Sequence, residues 1–491
     1  MGHWVGGKDI ASYDRVGPVF DPATGTQTAE VALASVAEVD VAVATAAEAY
    51  EEWRHSTLAT RTAVMFAFHR LLDENRTAIA RAITSEHGKV LTDAAGEVAR
   101  GLECVEFACG IAQLLRGGHS VQVSTGVDVY ELRQPLGVVA GITPFNFPAM
   151  VPLWMIPNAI ACGNAFVLKP SEKDPSASLL IADLLGRAGL PDGVFNVVQG
   201  DAEAVGRLLE HPDVAAISFV GSTPIARSVY ERATVAGKRV QALGGAKNHM
   251  VVLPDADLDT AADAAVSAAY GSAGERCMAV SVAVTVGDIA EDFVAAVRDR
   301  IGRLQVGPGT EPESQMGPLV TAAHRDRVAS YLDVAAEEGA SVVVDGRTDP
   351  VAERGFFLGA SLVDDVRPTM RVYADEIFGP VLSVVRADSV AEAIGIVNAN
   401  PYGNGVAIFT RDGGAAREFQ QEVTVGMVGV NVPIPVPVSS YSFGGWKASL
   451  FGDTHIYGAD GVRFYTRTKV VTERWPDPAT STIDLGFPTH H

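Results

Sequence analysis

Short apolar runs alternate with helical segments twice along this chain, and no other feature limits the fold as much. "LGVVAGI", "NAFVLKP", "GVFNVVQG" and "VAAISFVG" recur between residues 136 and 221, separated by amphipathic stretches such as "SASLLIADLLGRAGLP". Apolar runs of this length, bounded by turns, are strands covered on both faces, and the helices between them supply the crossovers that parallel strands need. A second series begins after about residue 244 with "SVAVTV", the helix "AEDFVAAVRDRI", "ASVVVDG", "GPVLSVV", "GVAIFT" and "GMVGVNV". Two α/β lobes imply a cleft between them.

The flanking segments are of other kinds. Ser35 and Glu38 stand at capping-box spacing and place Val39, Val43, Ala46 and Tyr50 on one helical face, and helical patterns run on to about Leu115. Residues 119 to 133 alternate with period two around Gly126, which predicts a hairpin. "GVRFYTRTKVVTERW" near the end is extended and alternating, with no evident partner strand beside it in sequence, and so predicts subunit contacts. The chain carries no charge from Gln134 to Leu168, but Pro135, Pro144, Pro148, Pro152 and Pro157 interrupt it, so buried core and site lining are expected there, and no membrane span. With 38 Lys and Arg against 59 Asp and Glu, a net charge of -21 and no basic run, a nucleic-acid partner is not expected. Cys104, Cys109, Cys162 and Cys277 form no CxxC pair and no Cys/His cluster, which predicts neither a metal site nor a disulfide framework. The start "MGHWVGGKDI" lacks a signal-peptide pattern, and a cytoplasmic location is expected.

Cys277, in "GSAGERCMAV", reads on its own either as a small buried hydrophobe or as a nucleophile. A cation at Arg276 and a turn opening a helix would both stabilise a thiolate. "TPFNFP" at 143 to 148 follows the first parallel strand, where open α/β sheets bind ligands; Asn146 there is a turn residue or a donor to an oxyanion. "LKPSE" puts Lys169 and Glu172 at the end of the next strand, and "FVGST" puts Gly221 and Ser222 at a strand-to-helix turn suited to a pyrophosphate. No GxGxxG is present, so a dinucleotide does not follow from motif mechanics alone. "DEIFGP", with Glu376 and Phe378, reads equally well as a loop closing on the core.

Taken in order, TPFNFP, LKPSE, FVGST, GERC, EIFGP, NPYGNG and FGGWK resemble the NAD(P)-dependent aldehyde dehydrogenase superfamily, over nearly the whole chain. The resemblance implies an α/β aldehyde dehydrogenase fold. It has a Rossmann-like NAD-binding domain at 1–121 and 136–243, an α/β catalytic domain at 244–459, and a protruding oligomerisation sheet from 122–135 and 460–482 that joins subunits into a homotetramer, a dimer of dimers. It further implies that Cys277 attacks the aldehyde, that hydride passes to NAD, and that the thioester is released to an acceptor. Asn146 and the Cys277 amide then hold the oxyanion. Thr143, Phe145, Lys169, Glu172, Lys173, Ser222 and Gly244 line the nucleotide, with Glu376 at the nicotinamide ribose and Phe378 also at the cofactor. Glu172 favours NAD over NADP, because a carboxylate accepts from a 2′-hydroxyl and repels a 2′-phosphate.

One departure bears on the acceptor. Most hydrolytic members carry "LELGGK", whose glutamate activates the deacylating water; this chain reads "VQALGGAKNHMVV", with Ala242 or Leu243 at that place. Loss of a general base costs on the order of 10²- to 10⁴-fold in its step. "GAKNHM", "GERCMA" and "PFNFPAMVPLWM" resemble the CoA-acylating methylmalonate-semialdehyde dehydrogenases within the superfamily. That likeness implies oxidation of methylmalonate or malonate semialdehyde with NAD and coenzyme A, loss of the carboxyl group, and propionyl-CoA or acetyl-CoA as product. It places the substrate carboxylate on Arg276 and Arg100, whose planar guanidinium groups match two carboxylate oxygens. The rivals are a hydrolytic dehydrogenase that releases a free acid and a silent binding protein on the same scaffold. Lys173 and Ala448 stand where arginine and glycine are common, which bears on cofactor affinity.

Overall fold

Strand pairing gives two large sheets, each the centre of an α/β lobe, a three-stranded sheet and two two-stranded ribbons, in a computed structural model that describes residues 1–11, 14–353, 355–479 and 482–483. In the first lobe, five parallel strands run in the spatial order Phe195–Val197, Ala165–Lys169, Val138–Ile142, Val214–Val220 and Arg239–Leu243. The order reverses between Val138–Ile142 and Val214–Val220, so the loops after Ile142 and Val220 diverge and leave a crevice at the carboxyl ends. Antiparallel strands His3–Val5 and Leu450–Phe451 border this parallel set.

The second lobe orders its strands as Ser341–Val344, Ser361–Asp364, Val381–Ala387, Val280–Val286, Asn248–Val252, Gly405–Phe409 and Met427–Val430, all parallel except the first, which is an antiparallel edge. The uncharged run forms strand, helix Met150–Ala161 and strand, and Asn146 through Pro170 are buried without a break. Among the described residues no helix is long and apolar enough to cross a membrane. The capping box predicted at Ser35 and Glu38 is present at the start of helix Val36–Trp53.

The C-terminal segment departs in two ways from what its own alternating pattern predicts, the second of which the resemblance, with 122–135 and 460–482 in one sheet, does not share. Gly458–Phe464 is helical, and the strand begins only at Thr466. Val462 and Phe464 alternate about Arg463 as in a strand, but so short a run equally suits one helical turn, and here Val462, Phe464 and Tyr465 are all buried in the core of the first lobe. The strand Thr466–Arg474 also has a partner within the chain: it pairs antiparallel with Val127–Pro135 along its full length, and the hairpin strand His119–Ser124 completes a three-stranded sheet. Residues 480 and 481 of the expected 460–482 segment lie outside the described residues.

Candidate active site

The carboxyl ends of the first sheet face the amino ends of the second. Asn146 follows Ile142, Ser222 follows Val220 and Gly244 follows Leu243; across the cleft, Asn248 opens its strand, Cys277 precedes Val280 and Asn404 precedes Gly405. The loop before Cys277 is strained, with Ser272 and Ala273 at φ of 53° and 52° followed by Gly274 at 73°. Left-handed non-glycine residues cost on the order of 1–3 kcal/mol each and persist only where surrounding contacts fix them. Here the Cys277 carbonyl accepts from Asn248 Nδ2 at 2.9 Å and Asn404 Nδ2 at 3.0 Å. Asn146 Nδ2 donates to the Glu275 carbonyl at 3.1 Å, which brings the predicted oxyanion donor to the nucleophile loop.

Cys277 does not open a helix, as the sequence led us to expect; it sits in a turn that leads into the strand Val280–Val286. Nor is its thiol activated by its neighbour. Arg276 Nη2 is bound to Asp93 Oδ1 at 2.7 Å. Burial pushes the Cys277 thiol up to about 12, Glu376 adds to the rise, and Arg276 offsets it least. At neutral pH such a thiol stays protonated.

Two cavities meet at this sulfur. The larger, about 490 Å³, brings together Phe145, Asn146, Ser222, Gly244, Glu376 and Phe378 beside Cys277. Helix Thr223–Val235 begins here with no side-chain cap on Ser222; Pro224 has no N–H and the Ala226 amide donates to the Ser222 carbonyl, which leaves the Thr223 and Ile225 amides for an anion. Glu376 Oε1 accepts from the Ala246 amide at 2.8 Å, and burial pushes its carboxyl up to about 7. Thr143 follows Ile142 with its hydroxyl buried and, among the described residues, without a hydrogen-bond partner. At the end of the next strand, Lys169 Nζ lies 3.3 Å from Glu172 Oε2, and Lys173 Nζ lies over the Phe145 ring at 4.7 Å.

The smaller cavity, about 230 Å³, is lined by Asp93, Glu97, Arg100, Arg276 and Cys277 among apolar side chains. Asp93, Glu97 and Arg100 lie at i, i+4 and i+7 on helix Leu91–Cys109 and therefore share a face. Arg100 is more than a solvated helix residue: it binds Glu103 at 2.9 Å and reaches across to the Val436 carbonyl at 3.2 Å. Ala242 and Leu243, the two alternatives for the missing base, are both buried and point to opposite faces of their strand. Leu243 joins the apolar cluster against which Cys277 packs, whereas Ala242 belongs to the cluster on the other face. Neither can accept a proton.

A family model described as the aldehyde dehydrogenase family matches residues 10–471. The chain belongs to the aldehyde dehydrogenase family. It is 56% identical over 491 residues to the malonate-semialdehyde dehydrogenase of Pseudomonas aeruginosa, covering 99% of each chain. Among solved structures, the methylmalonate-semialdehyde dehydrogenase of Oceanimonas doudoroffii superimposes with a TM-score of 0.96 at 53% identity, covering 98% of this chain and 99% of that one. A Sinorhizobium meliloti chain solved in complex with NAD superimposes with a TM-score of 0.96 at 51% identity, again covering 98% and 99%.

The dehydrogenase also builds its site from residues that motif reading passed over. Lys89 Nζ, fully buried, donates to the Asn146 carbonyl at 2.6 Å and to Glu97 Oε2 at 2.8 Å. Glu97 Oε1 accepts the Ala149 and Met150 amides at 2.8 and 3.1 Å, capping a helix whose own N-cap side chain makes no bond. With every partner satisfied, this buried pair fixes the Asn146 turn. Lys247, buried, donates to the Val372 and Asp375 carbonyls at 2.9 and 2.7 Å and so holds the segment before Glu376. Its signal was its place within "GAKNHM"; Lys89 and Glu97 had none. His324 and Arg327 line the larger cavity, with His324 Nε2 2.7 Å from the Phe378 carbonyl.

Proposed function

We propose that the enzyme oxidises malonate semialdehyde and methylmalonate semialdehyde with NAD and coenzyme A, releasing carbon dioxide and forming acetyl-CoA or propionyl-CoA. The observation that carries this reading is the position of Cys277 between an arginine-lined cavity and a cavity with a free helix N-terminus, with no carboxylate at 242 or 243. The residues present fit a dinucleotide. The Thr223 and Ile225 amides after Ser222 suit the pyrophosphate, Glu376 with Phe378 in the same cavity suits the nicotinamide ribose, and Glu172, paired with Lys169 outside that lining, suits the adenosine ribose. When bound, NAD accepts the hydride from the carbon attached to Cys277.

The chain's own residues do the rest. Arg276 and Arg100 hold the substrate carboxylate so that the aldehyde carbon lies at Cys277. The thiol gives its proton to solvent water and the resulting thiolate bonds to that carbon, while Asn146 Nδ2 and the Cys277 amide hold the developing oxyanion. After hydride loss the acyl group is a thioester. Its β-carboxylate leaves as carbon dioxide while the electron pair moves into the thioester carbonyl, and the resulting enolate takes up a proton. The CoA thiolate then displaces Cys277, giving acyl-CoA and free enzyme. Survival of the thioester for that long rests on the apolar Ala242 and Leu243.

One observation favours the rival reading, release of a free acid: Glu376, raised to about 7, lines the same cavity as Cys277 and is a candidate base for water. Product analysis separates the two. With malonate semialdehyde and NAD but no CoA, we expect one enzyme equivalent of NADH followed by slow turnover; with CoA, sustained turnover and acetyl-CoA. Fast steady-state formation of free acid without CoA would sink the acylating reading. By the same likeness we propose that the three-stranded sheet joins subunits into a tetramer. In support, Val121, Val470 and Trp475 on or beside it are 63%, 60% and 86% exposed.

A further inference from the structure

We propose that Asp93 is the positioning residue that sets selectivity for carboxylated aldehydes, acting through Arg276. This rests on the arginine-lined cavity being the carboxylate site. Asp93 and Arg276 line both the 230 Å³ cavity at Cys277 and a second cavity of about 520 Å³ beyond it, so the guanidinium stands at a boundary with room on either side. A flexible arginine in such a place can turn its donors away from the substrate.

Two contacts prevent this. Asp93 Oδ1 accepts from Nη2 at 2.7 Å with both side chains about four-fifths buried, at 18% and 20% exposure, and no other hydrogen bond of this guanidinium occurs among the described residues. Gly271 lies against the other end of the group: a Cβ there would come within 2.5 Å of Nη1. Gly271 has an ordinary φ of -54°, so the glycine is needed for space and not for backbone conformation. Pinned at one nitrogen and seated on a glycine, Arg276 keeps its remaining N–H groups for a second carboxylate.

No neighbouring carboxylate can replace Asp93. Glu97 is committed to Lys89 and two helix amides, Glu103 to Arg100, and Asp263 to Arg300. Among the described residues Asp93 Oδ2 is buried without a hydrogen-bond partner and Oδ1 accepts only from Arg276.

The test is the ratio of kcat/KM for malonate semialdehyde to that for propanal, measured with NAD and CoA. Asp93→Ala should lower the ratio about tenfold or more, through KM for the semialdehyde, because a charge-assisted contact that orients the binding group is lost. Asp93→Asn keeps an acceptor at the same place and should restore most of it. Gly271→Ala leaves Asp93 intact, displaces the guanidinium sterically, and should lower the ratio as well. Arg276→Leu separates the two claims. If Arg276→Leu lowers the ratio while Asp93→Ala and Gly271→Ala do not, Asp93 has no positioning role and the carboxylate site stands. If Arg276→Leu also leaves the ratio at the wild-type value, the carboxylate site itself is overturned.

Discussion

The two cavities that meet at Cys277 are built by different means. The larger is framed by strand ends, glycines and a helix N-terminus, main-chain features whose position follows from sheet order, with side chains such as Phe145, Glu376 and Phe378 set around them; the smaller is framed by side chains, with three charged residues on one helix face and Arg276 reaching one of them, Asp93, across 183 positions of chain. A site made of backbone serves every substrate that shares the cofactor. A site made of side chains selects among substrates, and each selection hangs on a few atoms. Substitutions around the larger cavity should therefore scale all aldehydes together, and substitutions around the smaller should separate them.

The largest effect should come at the junction. Cys277→Ala should lower turnover of every aldehyde by about 10³-fold or more and abolish the first equivalent of NADH in a rapid-mixing experiment. Its thiol, raised to about 12 by burial and Glu376, also predicts the pH course of alkylation in the unliganded wild type. Reaction with iodoacetamide should be slow at neutral pH and rise about tenfold per unit between pH 7 and 10, since only the thiolate reacts. A plateau already reached at pH 8 would show that the cation at Arg276 does activate the sulfur.

Next in size is Arg100→Leu, which breaks or sustains the contrast most directly. With Arg276 intact, loss of one of two guanidinium partners should lower kcat/KM for malonate semialdehyde by about 10- to 100-fold, since leaving a desolvated carboxylate short of a partner costs about 1.5–3 kcal/mol. Propanal carries no carboxylate and should lose less. Equal losses for both aldehydes would mean that the smaller cavity does not discriminate and that Arg100 serves only its bonds to Glu103 and Val436.

The same contrast explains how much the sequence revealed. Parallel strands, the cleft and the turns at Asn146 and Ser222 were legible because apolar runs and the proline- or glycine-bearing turns that end them are local signals, whereas Gly244 came only from the resemblance; sheet order then brings them together. Lys89, Glu97 and Asp93 were not, because an isolated charge, on an amphipathic helix for Asp93 and Glu97 and in the link just before it for Lys89, looks the same whether it meets water or a partner far along the chain. Arg276 was read as a cation for Cys277 since it is adjacent in sequence; in space its charge is turned to Asp93, and the sulfur's surroundings are set by burial and Glu376. The segment after Gly461 was misread for a related reason, because four residues are too few to distinguish period two from period 3.6. The choice between Ala242 and Leu243 needed strand direction, which puts only Leu243 on the side of Cys277.

The smallest effect expected is a pH dependence confined to the larger cavity. Burial raises the Glu376 carboxyl to about 7, so in the unliganded enzyme it is protonated below that pH and ionised above it. A carboxylate accepts hydrogen bonds from ribose hydroxyls better than a neutral carboxyl does, so binding of NAD should favour the ionised form and release a proton near neutrality. The NAD dissociation constant should rise a few-fold from pH 8 to pH 6, at most about tenfold per unit, and the binding enthalpy should depend on the buffer's ionisation enthalpy. Stability should run the other way. A carboxyl whose pKa is higher in the folded protein contributes stability that is full below its unfolded value, near 4.5, and is lost as pH rises through about 7, a contribution of at most about 3 kcal/mol. Glu376→Gln removes both dependences at once, leaving NAD affinity flat across pH 6 to 8 and weakening the decline in Tm over pH 4.5 to 7. Because this carboxyl belongs to the cofactor side, the change should be the same for malonate semialdehyde and for propanal; a shift seen with only one of them would place Glu376 at the acyl group and reopen its candidacy as the base for water.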